Sequence, residues 1–330
     1  MSKKITLIAG DGIGSEVMPA AVKVLEKTGL PLEFTEAEAG WAVFERTGKS
    51  VPDETLQAVR DSDATLAGAF TSPNRRVPGH QGAIRYMRRE LNLFANLRPA
   101  RSRPVKGGFD GVDMLMVREN TQGLYVEQER RYGDIAIADA MVSREASERI
   151  AHIAFQQARE RRKKVAIVHK ANVLPLVSGL FLETCLEVAR EYPDVEASDI
   201  IVDAAAMKLV REPGNFDVLV STNLFGDILS DLMAGLVGGL GLAPSGNVGE
   251  QHAVFEPVHG SAPDIAGRGV ANPAAMILTT AMLLRHLGFP EEAERVDQAV
   301  NRVLASGPVT ADLGGSASTT EMTDAILAEY

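Results

Sequence analysis

Along most of this chain, short apolar runs alternate with longer amphipathic stretches. That alternation constrains the fold most, because it is the pattern of strand–helix units built around a largely parallel sheet. Residues 5–9 read as a buried strand, and 15–27 as a helix with Val17, Ala20, Ala21, Val24 and Leu25 on one face, stopped near Gly29. Pro52-Asp53-Glu54 reads as a helix start, since proline lacks an N–H that the first turn could not use and the carboxylates suit the dipole. Further strands are expected at 64–70, 112–117, 164–168, 200–203 and 216–220, and further helices at 83–93, 176–189, 225–237 and 273–287. The segment 125–141 is polar and then rich in Ile and Ala; it fits neither period, and an excursion to a partner subunit is one reading of it.

A chain of 330 residues exceeds the usual size of one hydrophobic core, so two domains are expected. Arg98-Pro99-Ala100-Arg101-Ser102-Arg103-Pro104 breaks regular structure and marks one crossing; the glycine-rich passage 238–246 can carry the chain back. A net charge of −10 disfavours nucleic-acid and anionic-membrane binding, which need a basic face. The lone Cys185 excludes an internal disulfide and a thiolate zinc cluster. No apolar run approaches the roughly 20 residues of a membrane span, and 5–9 is too short for a secretory core, so a cytoplasmic protein is expected.

Within this acidic chain, eight arginines crowd into one stretch: Arg75, Arg76, Arg85, Arg88, Arg89, Arg98, Arg101 and Arg103, with Glu90 the only acid among them. A solvated helix face plus a basic linker is the plain explanation. The functional one is a carboxylate or phosphate site, because guanidinium forks bind planar oxyanions bidentately. Arg85, Arg88 and Arg89 lie at i, i+3 and i+4, so one helical face could present them together. Asp227 and Asp231 stand one turn apart in an otherwise apolar helix, where like charges repel unless a cation lies between them. Oxygen ligands without nearby His or Cys suit Mg²⁺ or Mn²⁺, and Asp203, at the end of a strand, is a third candidate ligand.

Arginines for an anion and carboxylates for a cation together suggest a metal-chelated acidic metabolite. Lys170 could serve as a base and Tyr125 as a proton donor, although a surface lysine and a packing tyrosine are the commoner roles. His169 points to the opposite face if its strand continues, and is read as structural. Two glycine motifs stand out. Gly10-Asp11-Gly12-Ile13-Gly14 follows a strand and opens a helix, but its third glycine falls one residue early, Asp11 would face the pyrophosphate, and no convincing acidic strand end follows. A standard Rossmann site is therefore the weaker reading. His259-Gly260-Ser261-Ala262-Pro263-Asp264-Ile265-Ala266-Gly267 offers small residues for close ligand approach, and Asp264 could accept from ribose hydroxyls; a surface turn is the alternative.

Six motifs then stand in a familiar order: Gly10-Asp11-Gly12-Ile13-Gly14, Asn96-Leu97-Arg98-Pro99, Val117-Arg118-Glu119-Asn120-Thr121, Lys170-Ala171-Asn172, Gly226-Asp227-Ile228-Leu229-Ser230-Asp231 and the 259–267 motif. In this the chain resembles the isocitrate/isopropylmalate dehydrogenases, metal-dependent β-decarboxylating oxidoreductases, over essentially its whole length. Within the family it is most similar to the homoisocitrate dehydrogenases of the aminoadipate route to lysine. The resemblance implies an α/β, two-domain isopropylmalate-dehydrogenase-like fold with a mixed sheet, not a standard Rossmann fold. Residues 1–98 plus 238–330 would form the large, cofactor-side domain, and 99–237 the small domain with the metal-binding helix and the dimer interface. A cleft between the two would hold the site.

The resemblance also implies roles. Arg88, Arg98 and Arg118 match the arginines that grip the malate portion of the substrate, while Ser72 and Arg85 match positions facing its variable part. Asp203, Asp227 and Asp231 match the metal carboxylates. Tyr125 matches the general acid and Lys170 the residue that helps deprotonate the hydroxyl, with Lys170 and Asp203 supplied by the second subunit. Asn172 matches a residue near the nicotinamide, and Ile13, Glu256, His259, Gly260, Ser261, Ala262, Asp264, Ile265 and Asn272 match the cofactor site. Shared sites imply a homodimer at least, with a tetramer open. NADP-dependent members tend to carry Lys-Tyr where Asp264-Ile265 stand here, so NAD is the expected cofactor, with Mg²⁺ or Mn²⁺. Arg85 suits a carboxylate-ended substrate, because an isopropyl group against it would bury an unpaired ion. A tricarboxylate, homoisocitrate with isocitrate as a second, is therefore expected. The alternatives are isocitrate or 3-isopropylmalate dehydrogenase and, from another class, a non-catalytic regulatory subunit. Gln122 and Ala204-Ala205 depart from the common pattern at positions expected to affect local packing alone.

Overall fold

The computed structural model describes residues 2–73, 75 and 77–330; Arg76 of the arginine-rich stretch lies outside the described residues. The chain divides into two compact units. The first comprises Met1–Leu93, Arg103–Gly108 and Gly238–Tyr330, the second Phe94–Ser102 and Phe109–Val237.

The sheet of the first unit contains β1 (Lys3–Ile8), β2 (Leu32–Ala37), β3 (Ala64–Ala67), β11 (Pro244–Val248) and β12 (Ala253–Pro257), in the order β2-β1-β3-β12-β11. All its junctions are parallel except β11–β12. Side chains alternate across a strand, so each face acquires its own core. Leu7, Leu66 and Phe255 pack with α1 (Gly14–Lys27), α9 (Ala274–His286), α10 (Pro290–Ser306) and α11 (Thr319–Glu329), whereas Ile8, Ala67 and Val254 pack with α3 (Asp53–Arg60) and α4 (Ala83–Glu90). The short helix α2 (Trp41–Thr47) lies between β2 and α3 in the chain. Helix α11 begins in a capping box, in which the Ser318 hydroxyl accepts from the Glu321 N–H while the Glu321 carboxylate accepts from the Ser318 N–H.

The second unit repeats the principle with β4 (Ala95–Arg101), β5 (Asp113–Glu119), β8 (Lys164–His169), β9 (Glu196–Ile201) and β10 (Val218–Ser221), ordered β4-β5-β10-β8-β9. Only β4–β5 is antiparallel. Leu115, Val117, Val218 and Val220 face α5 (Arg144–Arg159) and α6 (Val177–Ala189), while Met114, Met116 and Leu219 face α7 (Val202–Arg211) and α8 (Asn223–Leu236). Cys185 lies in the first of these two cores, reduced, and burial pushes its thiol well above the ordinary range. The segment 125–141 forms a hairpin of β6 (Glu129–Tyr132) and β7 (Ile135–Ala138) whose strand residues are all exposed.

Three expectations change. The 98–104 run does not break regular structure at its start, because β4 continues through Pro99 to Arg101. Leu115, which faces Pro99, sends its own N–H to Asp217, so this pair exchanges no ladder bonds and the missing proline donor costs nothing on that side. The unit boundary falls before Phe94 and not after Arg98, and 103–108 belongs to the first unit, where Arg103 pairs with Asp297 and Asn301 of α10. Asp203 does not end a strand; β9 closes at Ile201, and Asp203 sits in the first turn of α7, where a carboxylate suits the helix dipole.

Candidate active site

In the second unit, β10 leads at Thr222 directly into α8, the helix that carries Asp227 and Asp231. Arg118, near the end of β5, is almost wholly buried against this helix. It reaches that position because residue 226 is glycine: a Cβ there would stand 2.8 Å from Arg118 Cγ. The Arg118 guanidinium donates from Nη1 to Asp227 Oδ1 (2.6 Å), and from Nη2 (2.7 Å) and Nε (3.0 Å) to Asn223 Oδ1. Arg98, on the neighbouring strand β4, places Nη1 3.1 Å from both Asp227 Oδ1 and Asp231 Oδ1, and donates to Ser230 Oγ (2.9 Å) and, from Nε, to Asn96 Oδ1 (2.7 Å). The Tyr125 phenol donates to Asp227 Oδ2, and its ring lies 5.1 Å from the Arg118 guanidinium carbon. Five expected residues, Arg98, Arg118, Tyr125, Asp227 and Asp231, are thus brought together. Burial raises the Asp231 pKa, the Asp227 charge raises it further, and the two arginines oppose the rise.

Lys170 and Asp203 pair with each other. Lys170 leaves the end of β8, Asp203 opens α7 after the adjacent parallel strand β9, and their side chains form an ion pair. The Lys170 hydrogen bond holds the Asp203 carboxyl below its usual range. Among the described residues, no three His, Cys, Asp or Glu side chains of one chain gather as a metal site, so Asp203 does not complete the Asp227–Asp231 pair. Asn172 is exposed on the following turn. His169 is buried; its Nδ1 accepts from the Ala171 N–H (3.1 Å), which leaves Nε2 to donate to Asp199 (3.1 Å), a structural role.

The first unit holds Arg85, Arg88 and Arg89, and it separates them. Arg88 is buried, donating from Nε to Asn247 Oδ1 (2.8 Å) and from Nη2 to Glu256 Oε1 (3.1 Å), while Asn247 Nδ2 also donates to that Glu256 oxygen (2.9 Å). Glu256, expected at the cofactor, anchors Arg88 through this oxygen. Arg89 is exposed and engages Glu90 and Gln81, so it does not share a pocket with Arg88. Arg85 and Ser72 are exposed.

The two glycine motifs of the first unit pack on each other. Ile13 N–H donates to Ser261 O (2.9 Å), and a Cβ on Gly12, whose φ is +54°, would stand 2.0 Å from that same oxygen. Ser261 and Thr71 hydroxyls are 2.7 Å apart. Asp11 does not face a phosphate: its buried carboxylate accepts from the N–H groups of Trp41 (2.8 Å), Ala42 (3.2 Å) and Thr71 (2.8 Å), binding the start of α2 to the strand-end loop. His259 Nδ1 lies 3.0 Å from Gly260 O, its Nε2 is buried with no hydrogen-bond partner among the described residues, and burial lowers its pKa. Ala262 holds a positive φ of 38°, Asp264 and Gly260 are exposed, and Ile265 is half-buried. Asn272 donates to Asp312 (2.9 Å) and accepts from Ala274 N–H at the start of α9. Asn223, Asn247 and Asp312 were not singled out by sequence; lone amides and carboxylates of this kind carry no spacing signal. Gln122 closes the base of the hairpin, exchanging two 2.8 Å bonds with Ser143.

The model of the family described as isocitrate/isopropylmalate dehydrogenase matches residues 4–326. The chain is 64% identical over 328 residues to an isocitrate/homoisocitrate dehydrogenase of Thermus thermophilus, covering 99% of this chain and 98% of that one. It is 52% identical to a 3-isopropylmalate dehydrogenase of Archaeoglobus fulgidus, with 98% of each covered. The crystal structure of isocitrate dehydrogenase from Methylococcus capsulatus superposes with a TM-score of 0.95 at 47% identity, covering 99% of both chains. This chain belongs to the isocitrate/isopropylmalate dehydrogenase family. As a member it is a β-decarboxylating dehydrogenase acting on a small carboxylate substrate, with the α/β fold and mixed sheets of its solved relatives. Among the described residues, no helix is long and apolar enough to cross a membrane.

The residues fit the groups this family uses. Asp227 and Asp231 form an all-oxygen donor pair whose mutual repulsion a hard divalent cation would relieve. In the first unit, His259 Nε2, with no partner among the described residues, and the small residues around it suit a nucleotide that would supply a hydrogen-bond partner.

Proposed function

We propose that this enzyme oxidatively decarboxylates homoisocitrate to 2-oxoadipate with NAD⁺, in the cytoplasm and as a step of lysine synthesis through aminoadipate, and accepts isocitrate as a second substrate. The observation that carries the reading is Arg85, a cation one helical turn before the buried Arg88. A carboxylate-ended substituent offers that guanidinium a planar acceptor of opposite charge, which an isopropyl group does not. Isocitrate is shorter by one methylene, a difference worth only about 1–3 kcal/mol. Similarity to the Thermus isocitrate/homoisocitrate enzyme supports the same choice.

In this reading Arg88, Arg98 and Arg118 hold the carboxylates of the malate portion, with Ser72 and Arg85 toward the variable group. Lys170 with Asp203 withdraws the hydroxyl proton, and Tyr125, whose phenol donates to Asp227, returns a proton to carbon after CO₂ departs. Asp203, Asp227 and Asp231 would hold Mg²⁺ or Mn²⁺, and Ile13, His259, Gly260, Ser261, Ala262, Asp264, Ile265 and Asn272 would hold NAD⁺, with Asn172 near the nicotinamide. Bound there, the cation would supply electrostatic stabilisation of developing charge and NAD⁺ a hydride acceptor. Because Asp203 and the α8 pair do not meet within one chain, we assign Lys170 and Asp203 to the site of a second copy, which requires a homodimer or a tetramer built from it.

The test compares kcat/KM for homoisocitrate, isocitrate and 3-isopropylmalate with NAD⁺ and with NADP⁺. Homoisocitrate is expected to lead and NADP⁺ to trail, since Asp264 would repel a 2′-phosphate. A preference for 3-isopropylmalate would overturn the substrate assignment, a preference for NADP⁺ the cofactor assignment, and no turnover of any acid would favour the regulatory subunit.

A further inference from the structure

Helix α2 lies outside every role assigned above, yet it holds two parts of the first unit that lead to proposed substrate residues. Asp11 accepts from the N–H groups of Trp41 and Ala42 at the start of α2 and from Thr71, the neighbour of Ser72. Further along, the imidazole of His80 packs edge-on against both aromatic rings of α2, its centroid 5.1 Å from Trp41 at 62° and 4.9 Å from Phe44 at 80°. His80 belongs to the turn 77–82 that feeds α4, and its N–H donates to Val77 O (3.1 Å). The link to Arg85 is direct. A Cβ on Gly82 would stand 3.0 Å from Arg85 Nε and 3.3 Å from Nη2, so the Arg85 side chain lies over the glycine that caps α4. Burial lowers the His80 pKa and the nearby Arg85 charge lowers it further, with the Asp11 carboxylate opposing both.

We propose that Trp41 and Phe44 of α2, acting through His80 and the open face of Gly82, position Arg85 and so help determine which acid the enzyme selects. This rests on the reading of Arg85 as the group facing the substrate's variable end. Aromatic edge-to-face packing is directional, so it fixes the turn more tightly than apolar contact alone. A small displacement of a binding group is enough to alter selectivity well beyond the bulk removed. His80, Trp41 and Phe44 are positioning residues; none is assigned a contact with substrate.

The experiment measures KM and kcat for homoisocitrate, isocitrate and 3-isopropylmalate in His80→Ala, His80→Phe, Gly82→Ala and Arg85→Val, together with the emission of Trp41, the only tryptophan in the chain. In His80→Ala the homoisocitrate-to-isopropylmalate ratio is expected to fall on the order of tenfold, through KM more than kcat, with KM for NAD⁺ unchanged. His80→Phe restores an aromatic edge and is expected to return the ratio to native. Gly82→Ala, which crowds Arg85 and leaves the ring packing alone, is expected to shift the ratio without shifting the Trp41 emission, whereas His80→Ala shifts both. If Arg85→Val changes selectivity and His80→Ala and Gly82→Ala do not, this inference falls while the Arg85 assignment stands. If Arg85→Val leaves selectivity unchanged, both fall. Native Trp41 emission in His80→Ala would mean that the ring contact is not made in solution, and would also overturn the proposal.

Discussion

The two units build their candidate sites from different materials. In the second, opposite charges converge: two buried arginines, a tyrosine and two aspartates of one helix, linked directly by side-chain bonds. In the first, the glycine motifs meet through backbone atoms, with Ile13 N–H on Ser261 O and a glycine where any Cβ would collide. A charge-built site depends on which ionised groups are present, and a backbone-built site on what holds the loops in register. Substitutions that neutralise a charge should therefore be severe for chemistry in one unit and severe for stability in the other.

The largest effect is expected from Asp227→Asn. It removes the carboxylate that accepts from Arg98, Arg118 and Tyr125, and kcat/KM should fall on the order of 10³-fold, with Mn²⁺ binding by calorimetry lost in parallel. Activity within tenfold of native would break the assignment of α8 to the chemistry. Next comes Asp11→Ala, which strands three backbone N–H groups and should cost about 3 kcal/mol in denaturant unfolding. If Asp11 faced a pyrophosphate instead, removing it would tighten NAD⁺ binding and leave stability almost untouched.

A smaller effect sharpens the contrast. Burial and the Asp227 charge raise the Asp231 pKa in the folded state, so protonation there favours folding. The Asp231 contribution is most favourable at low pH and is lost as pH rises through that raised value. At neutral pH without metal, Asp231→Asn should therefore raise the melting temperature, by roughly a degree or two because half of the side chain stays exposed. Added Mn²⁺ should then stabilise the native enzyme more than the variant. A lower melting temperature for metal-free Asp231→Asn would contradict this balance.

The same contrast explains what could be read from sequence. Asp227 and Asp231 were legible because like charge at a helical spacing inside apolar surroundings is costly and needs a partner, whereas of the arginines crowded in sequence Arg88 and Arg98 are buried and Arg85 and Arg89 are exposed. Asn223 and Asn247, the partners of Arg118 and Arg88, were not legible, since an amide is unremarkable anywhere in a chain. Asp11 was legible only as out of place beside a pyrophosphate; its partners, N–H groups brought from about 30 and 60 residues away, leave no trace in the local motif. Buried runs such as those of β1, β5 and β10 announced themselves through burial on both faces. The hairpin of β6 and β7 did not, because its strand residues are all exposed and no apolar period is imposed on them.

The central claim is that the charge cluster of the second unit becomes a working site only with Lys170 and Asp203 of another copy. Co-expressing Tyr125→Phe with Lys170→Met, each nearly inactive alone, tests it directly. Shared sites predict that mixed dimers contain one intact site, so turnover should recover to about a quarter of native in a statistical mixture. No recovery, in dimers verified to be mixed, would show that each chain supplies its own lysine and would contradict the account.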